Sequence, residues 1–210
     1  MKIALLSATT VSLEPIENAF QKKDSSVELF HLLDSSLLPL LKKEGKITSS
    51  IIQRFAKLID LAVSADADAV LFTCSAFNNI AGVLQPLYDI KLFRSDEAML
   101  NQAAEYDKIG LVSTVTETPL ALEAYIKKIK PTIQVESVVD DNIIHLLNTG
   151  EKKEHDLRVI KMINKLKGIV DVIVLSQYST AHVKKQVSLD IPILTAPDAS
   201  AKLCIQYLQR

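Results

Sequence analysis

Glycine is scarce in this 210-residue chain. The five glycines are Gly45, Gly82, Gly110, Gly150 and Gly168, and none falls in a GxGxxG or GxxxxGK[ST] pattern. The glycine-rich loops that cradle dinucleotides or nucleoside triphosphates are therefore missing. Cysteine is scarcer still: Cys74 and Cys204 are too few for a disulfide scaffold. Charge of one sign is not in excess, since 24 Lys and Arg face 25 Asp and Glu for a net charge of -1. That excludes a strongly basic nucleic-acid surface or an acidic tail as the main theme. No apolar run approaches the roughly 20 residues that span a bilayer. The run Ile3–Leu6 is too short for a signal h-region, and no A-x-A site follows it. The expectation is a soluble cytoplasmic protein with reduced thiols, with neither nucleic acid nor membrane as partner.

What is present is an alternation. Short apolar runs, several of them β-branched, recur at Ile3–Ser7, Val27–His31, Ala69–Thr73, Ile109–Ser113, Ile133–Val138, Val170–Leu175 and Ile191–Leu194, with a weaker one at Ile90–Phe93. Such runs suit strands of a parallel sheet buried on both faces. Helical periodicity fills the gaps at 15–23, 48–65, 118–129, 154–167 and 199–208. Thr48 or Ser49 is a candidate N-cap, and Pro119 sits in a first turn, where proline is tolerated. Strand–helix alternation predicts an α/β fold with parallel sheets. The pattern runs twice, with spacings of 25, 42 and 21 residues between runs in the first half and 25, 37 and 21 in the second. It predicts two similar parallel-sheet subdomains related by pseudo-two-fold symmetry with a cleft between them. Their expected extents are 1–95 plus 195–210 for the first and 96–194 for the second.

Ligands of such sheets sit beyond the carboxyl ends of the strands. Reading off those ends gives Ser7-Ala8-Thr9-Thr10, Thr73-Cys74-Ser75, Ser113-Thr114-Val115-Thr116-Glu117-Thr118 and Ser176-Gln177-Tyr178-Ser179-Thr180. Candidate binding residues are Ser7, Thr9, Thr73, Ser75, Thr114, Thr118, Ser176 and Tyr178. Hydroxyls beside helix N-termini suit a carboxylate or phosphate without a basic clamp. The plain alternative is that each hydroxyl caps its helix. Phe77 and Tyr178 are candidates for an apolar pocket wall. Cys74 is the candidate catalytic residue, because a thiol near a helix start is expected to favour the thiolate. The competing reading is a core cysteine. Cys204, inside an amphipathic helix, reads as core. His182 reads as the start of an exposed surface helix, and His31 as a packing or cleft residue. His145 and His155 read as structural or solvated. Asp66, Asp68, Asp140 and Asp141 are assigned no chemistry. No histidine pair has metal-ligand spacing, so no metal site is expected.

The segment Ala69-Val70-Leu71-Phe72-Thr73-Cys74-Ser75 resembles the first cysteine motif of the aspartate/glutamate/hydantoin racemase superfamily. The strand and turn Ile3–Thr10 fit the first strand of that family. His31–Leu38 with Gly45–Thr48 is similar to a segment of its less characterised branch. Ile109–Thr114 with Thr118 resembles the Thr-rich turn opening its second half, and Val172–Gln177 stands where its second cysteine motif belongs. The resemblance implies two α/β subdomains flanking the active site. It also implies cofactor-independent proton transfer next to the carboxylate of a small acid, between two cysteines, one from each half. Homodimers or larger homo-oligomers are implied as well. The departure is Gln177 at the second-cysteine position, since an amide cannot exchange protons near neutral pH. Cys74 alone, as in the single-cysteine arylmalonate decarboxylases of the superfamily, Cys74 with another acid such as Tyr178 or a histidine, or a non-catalytic small-acid-binding site all remain open.

Overall fold

The computed structural model describes all 210 residues. Eight strands form two four-stranded parallel sheets. The first sheet has β1 (Lys2–Ser7), β2 (Glu28–Leu33), β3 (Ala69–Phe72) and β4 (Lys91–Phe93) in the order β2-β1-β3-β4. The second has β5 (Lys108–Ser113), β6 (Gln134–Val139), β7 (Val172–Leu175) and β8 (Ile193–Thr195) in the matching order β6-β5-β7-β8. The pseudo-symmetry reaches single hydrogen bonds. The Lys2 amide donates to Asp68 at 2.7 Å, and the Lys108 amide to Asp171 at 2.9 Å. Each aspartate immediately precedes a central strand, so the same device starts both sheets.

Nine α-helices connect and cover the strands: α1 (Leu13–Lys23), α2 (Leu37–Glu44), α3 (Ser49–Ser64), α4 (Asn78–Leu84), α5 (Glu97–Ala103), α6 (Thr118–Ile129), α7 (Ile144–Asn148), α8 (Lys152–Leu166) and α9 (Ala196–Leu208). None is long and apolar enough to cross a membrane. The period of two along each strand divides its side chains between two cores. Ile3, Leu5, Ala69 and Leu71 of the first sheet join Ile109, Leu111, Val172 and Val174 of the second in one central cluster with α1, α5, α6 and α9. The alternate residues Ala4, Leu6, Val70 and Phe72 meet α2, α3 and α4. Those of the second sheet, Val112, Ile173 and Leu175, meet α7 and α8.

Burial on both faces holds for the central strands and fails at the edges. β1, β3, β5 and β7 are buried almost throughout, whereas β2 and β6 are open on one side. An edge strand has one neighbour and incomplete helix cover. Thr48 is the N-cap of α3, but its side chain makes no capping hydrogen bond. The sequence reading omitted α2, α4, α5 and α7, each eight residues or shorter, over which apolar periodicity completes barely two turns.

Candidate active site

The carboxyl ends of both sheets converge on one small cavity. Its walls are Thr9, Val11, Ser12, Leu38, Thr73, Cys74, Ser75, Ser95, Val115, Ile144, Ser176, Gln177, Tyr178 and Ser179. The cavity volume is about 20 Å³, room for one water-sized molecule. Register explains the convergence. Phe72 pairs with Leu6 in the first sheet, and Leu175 pairs with Val112 in the second. Thr73-Cys74 therefore leaves the first sheet where Ser176-Gln177 leaves the second. The backbone amides of Thr73 and Ser176 repeat one contact, each donating at 3.0 Å to the central-strand carbonyl of Leu6 or Val112.

Not every expected residue faces the cavity. Thr9, Thr73, Cys74, Ser75, Ser176, Gln177 and Tyr178 line it. Ser7 lies beneath, fully buried and hydrogen-bonded to Thr73 Oγ1 at 2.8 Å, and Ser12 reaches the same oxygen at 3.1 Å. Thr114 contributes its backbone amide, which donates to Gln177 Oε1 at 3.0 Å, while its hydroxyl is buried without a partner. Thr118 Oγ1 meets Ser75 Oγ at 3.1 Å, a contact that joins the two halves beside Cys74. Phe77 does not line the cavity. It is fully buried in the outer core, 5.1 Å ring to ring from Phe55. The apolar wall is Val11, Leu38, Val115 and Ile144, from loops and short helices that the sequence reading did not single out. Ser95, also missed, follows β4, so the strand-end rule applied to the weakest run would have found it.

The electrostatics of Cys74 differ from expectation. The residue stands at the start of a single 3-10 turn, Ser75–Phe77, ahead of the seven-residue α4. That is too little helix to stabilise a thiolate. Burial pushes the Cys74 thiol up to about 11; the Ala76 backbone amide opposes this, and the negative charge of Glu117 adds to it. Glu117, the N-cap of α6, has one carboxylate oxygen buried without a hydrogen-bond partner. Gln177 is committed at both ends of its amide, accepting from Thr114 and donating to Ser113 Oγ at 2.7 Å. Tyr178 is buried, and burial holds its hydroxyl well above its ordinary value, so it is a neutral phenol at physiological pH. Cys204 is fully buried in α9, in the central core.

No basic side chain lines the cavity. An arginine does follow a strand: Arg94, after β4, is spent elsewhere. It grips Asp96 through two 2.8 Å bonds, reaches Asn79 at 2.9 Å and stacks 3.9 Å above the Tyr125 ring. Among the other titratable groups, His31 lies within β2 and meets Glu17 at 2.7 Å, away from the cavity. Asp140 is held by Arg158 through both carboxylate oxygens. His182 is not the start of an exposed α-helix. It lies half-buried in the 3-10 segment Tyr178–Gln186 and meets Asp156 at 2.7 Å. His155 is fully buried and meets the same carboxylate oxygen at 2.9 Å. Sequence spacing gave no hint of this cluster, because His155 and His182 come from different elements.

No protein-family model and no curated relative matches the chain. Solved structures do. Glutamate racemase from Francisella tularensis, crystallised with D-glutamate, superposes with a TM-score of 0.81 at 16% identity, over 99% of this chain and 81% of that one. Picrophilus torridus aspartate racemase gives 0.77 at 15% identity, over 99% and 94%. Allantoin racemase from Klebsiella pneumoniae gives 0.69 at 13% identity, over 100% and 88%. The architecture defines a class of fold, two parallel α/β sheets of matching strand order with a site between their carboxyl ends. Within it, this chain shares the fold of the glutamate, aspartate and allantoin racemases.

Proposed function

We propose that the protein is a racemase- or isomerase-like enzyme that moves a proton at the carbon next to the carboxylate of a small acid, without a cofactor, using Cys74 as acid/base. The observation that carries the reading is the placement of Cys74 on the wall of a closed cavity between two symmetry-related strand ends, opposite Ser176-Gln177. The Ser176 hydroxyl, buried without a hydrogen-bond partner, and the Ser75 hydroxyl, with the Thr9 turn, are the groups that would hold the carboxylate and the enolate-like charge, while the Thr73 and Ser176 amides are spent on Leu6 and Val112. In the forward step a Cys74 thiolate takes the Cα proton, and the C–H electron pair passes into the enolate. In the return step the Cys74 thiol gives a proton back to Cα. The halves that close on the substrate would be 1–95 plus 195–210 and 96–194. The packing of α9 on α1 supports the assignment of 195–210 to the first half, while its contact with α5 reaches across to the second.

A second reading has its own observation. A thiol pushed up to about 11 is protonated at neutral pH, the state required of a donor and not of a base. Loss of CO2 from a substituted malonate leaves the C–C electron pair on carbon as an enolate. Cys74 then supplies the proton, and solvent reprotonates the thiolate. A carboxylic substrate that displaces water from Cys74 would alter its pKa in either case.

The test is incubation in D2O with amino acids, malonates, maleate and hydantoins, followed by NMR beside Cys74→Ala. Deuterium at Cα without net reaction, lost in the variant, is expected for the isomerase. Release of CO2 with one deuteron incorporated indicates the decarboxylase. Saturable ligand shifts without turnover, unchanged in Cys74→Ala, would overturn both in favour of a small-acid-binding protein.

A further inference from the structure

The Asp156 carboxylate is the focus of a cluster outside the cavity. Oδ1 faces two imidazoles: His155 Nδ1 at 2.9 Å and His182 Nε2 at 2.7 Å. Oδ2 receives Lys152 Nζ at 3.0 Å and Gln186 Nε2 at 2.8 Å. The two rings lie 6.1 Å apart and 23° from parallel. One ligand atom from each of His155, Asp156 and His182 lies within 4.8 Å of the other two. His155 is fully buried, and its second nitrogen, Nε2, has no hydrogen-bond partner. The nitrogen of His155 that converges with His182 on the carboxylate is Nδ1, so the cluster itself, and not the unpartnered Nε2, is the feature that points to an ion.

We propose that His155, Asp156 and His182 bind a divalent transition-metal ion of the zinc class. Two neutral imidazoles and one carboxylate are a common donor set for that ion, and three protein ligands leave one position open. A tetrahedral shell with Zn–N near 2.0–2.1 Å sets its ligand atoms about 3.3 Å apart, so the present cluster closes on an ion by shifts of roughly 1 Å. Lys152 uses the far oxygen of Asp156 and is more than half exposed, so it is free to swing aside. His182 and Lys152 line a groove that shares Val11 and Ser179 with the Cys74 cavity. An ion there ties the segment Tyr178–Gln186, whose first two residues wall the cavity, to α8.

This inference does not rest on the racemase reading, and its test needs no substrate. Chelator-treated full-length protein is titrated with Zn2+ by calorimetry and with Co2+ by visible absorption. One equivalent is expected, with four-coordinate Co2+ bands and no thiolate charge-transfer band. Cys74→Ala is expected to bind as the parent does. His182→Gln and Asp156→Asn, checked for folding by circular dichroism, are expected to weaken binding by more than about tenfold. No saturable binding to the parent, or equal binding by both variants, would overturn the proposal and leave the cluster as a hydrogen-bonded clamp.

Discussion

Cys74 illustrates how position and reactivity separate. Its position follows from strand register, but its acidity follows from three-dimensional surroundings: burial of the thiol and the nearby Glu117 carboxylate. Alkylation of Cys74 by iodoacetamide in the ligand-free protein is therefore expected to be slow at neutral pH, rising with an apparent pKa of about 11. Glu117→Gln removes the repelling charge and should shift that profile to lower pH. A rate profile centred at or below the ordinary thiol value of 9.0 would contradict this account. The residues legible in the sequence were those directly after the central strands, such as Thr73, Cys74, Ser176 and Gln177. Ser12, Val115 and Ile144 reach the cavity from turns and short helices, where the same residue types elsewhere are ordinary caps and core. The His155–Asp156–His182 cluster was illegible because its members meet only through the packing of α8 on Tyr178–Gln186.

Among the elements, β5 depends on Gly110 for close packing. A Cβ at Gly110 would stand 2.7 Å from the Leu166 side chain and 3.1 Å from that of Val170. Gly110→Ala is expected to lower stability by about 1–3 kcal/mol, as overpacking of a filled core does. Urea unfolding measures it, and Gly110→Ala combined with Leu166→Ala should cost less than the sum of the two single losses. In the first half an outer helix packs on the sheet through aromatic rings, with Phe55 of α3 and Phe72 of β3 stacked at 5.1 Å. Phe72→Ala should cost about 3–5 kcal/mol. All eight strands were legible as apolar runs, and the central four most plainly, because a strand buried on both faces needs only apolar residues. The short helices were not, since tertiary packing stabilises five to eight residues that periodicity cannot mark.

For the whole molecule, burial of acidic hydrogens sets an alkaline limit. Cys74, Cys204 and Tyr178 are all raised by burial above their ordinary values of 9.0, 9.0 and 10.0. A raised acid is stabilising in its neutral form. That contribution is complete below the unfolded value and is lost as pH climbs toward the folded one. The urea midpoint is expected to hold from neutral pH and to fall above pH 9.0. Cys204→Ala would reduce the slope, at the expense of some core packing.

The contact between Ser75 and Thr118 has a kinetic and thermodynamic corollary. With about 20 Å³ inside, the cavity as it stands admits a water molecule and no amino acid. A ligand must find the halves parted at that seam, while the central core shared by both sheets limits the movement to a hinge. The apparent dissociation constant is then the intrinsic one divided by the fraction of molecules that stand open. Thr118→Ala, which removes the side of the seam that does not line the cavity, should tighten apparent binding by speeding association. A Ser75→Cys/Thr118→Cys pair, once oxidised, should abolish binding until reduced. Selectivity in such a protein would be set partly before contact, by which molecules arrive during the brief intervals when the seam is apart.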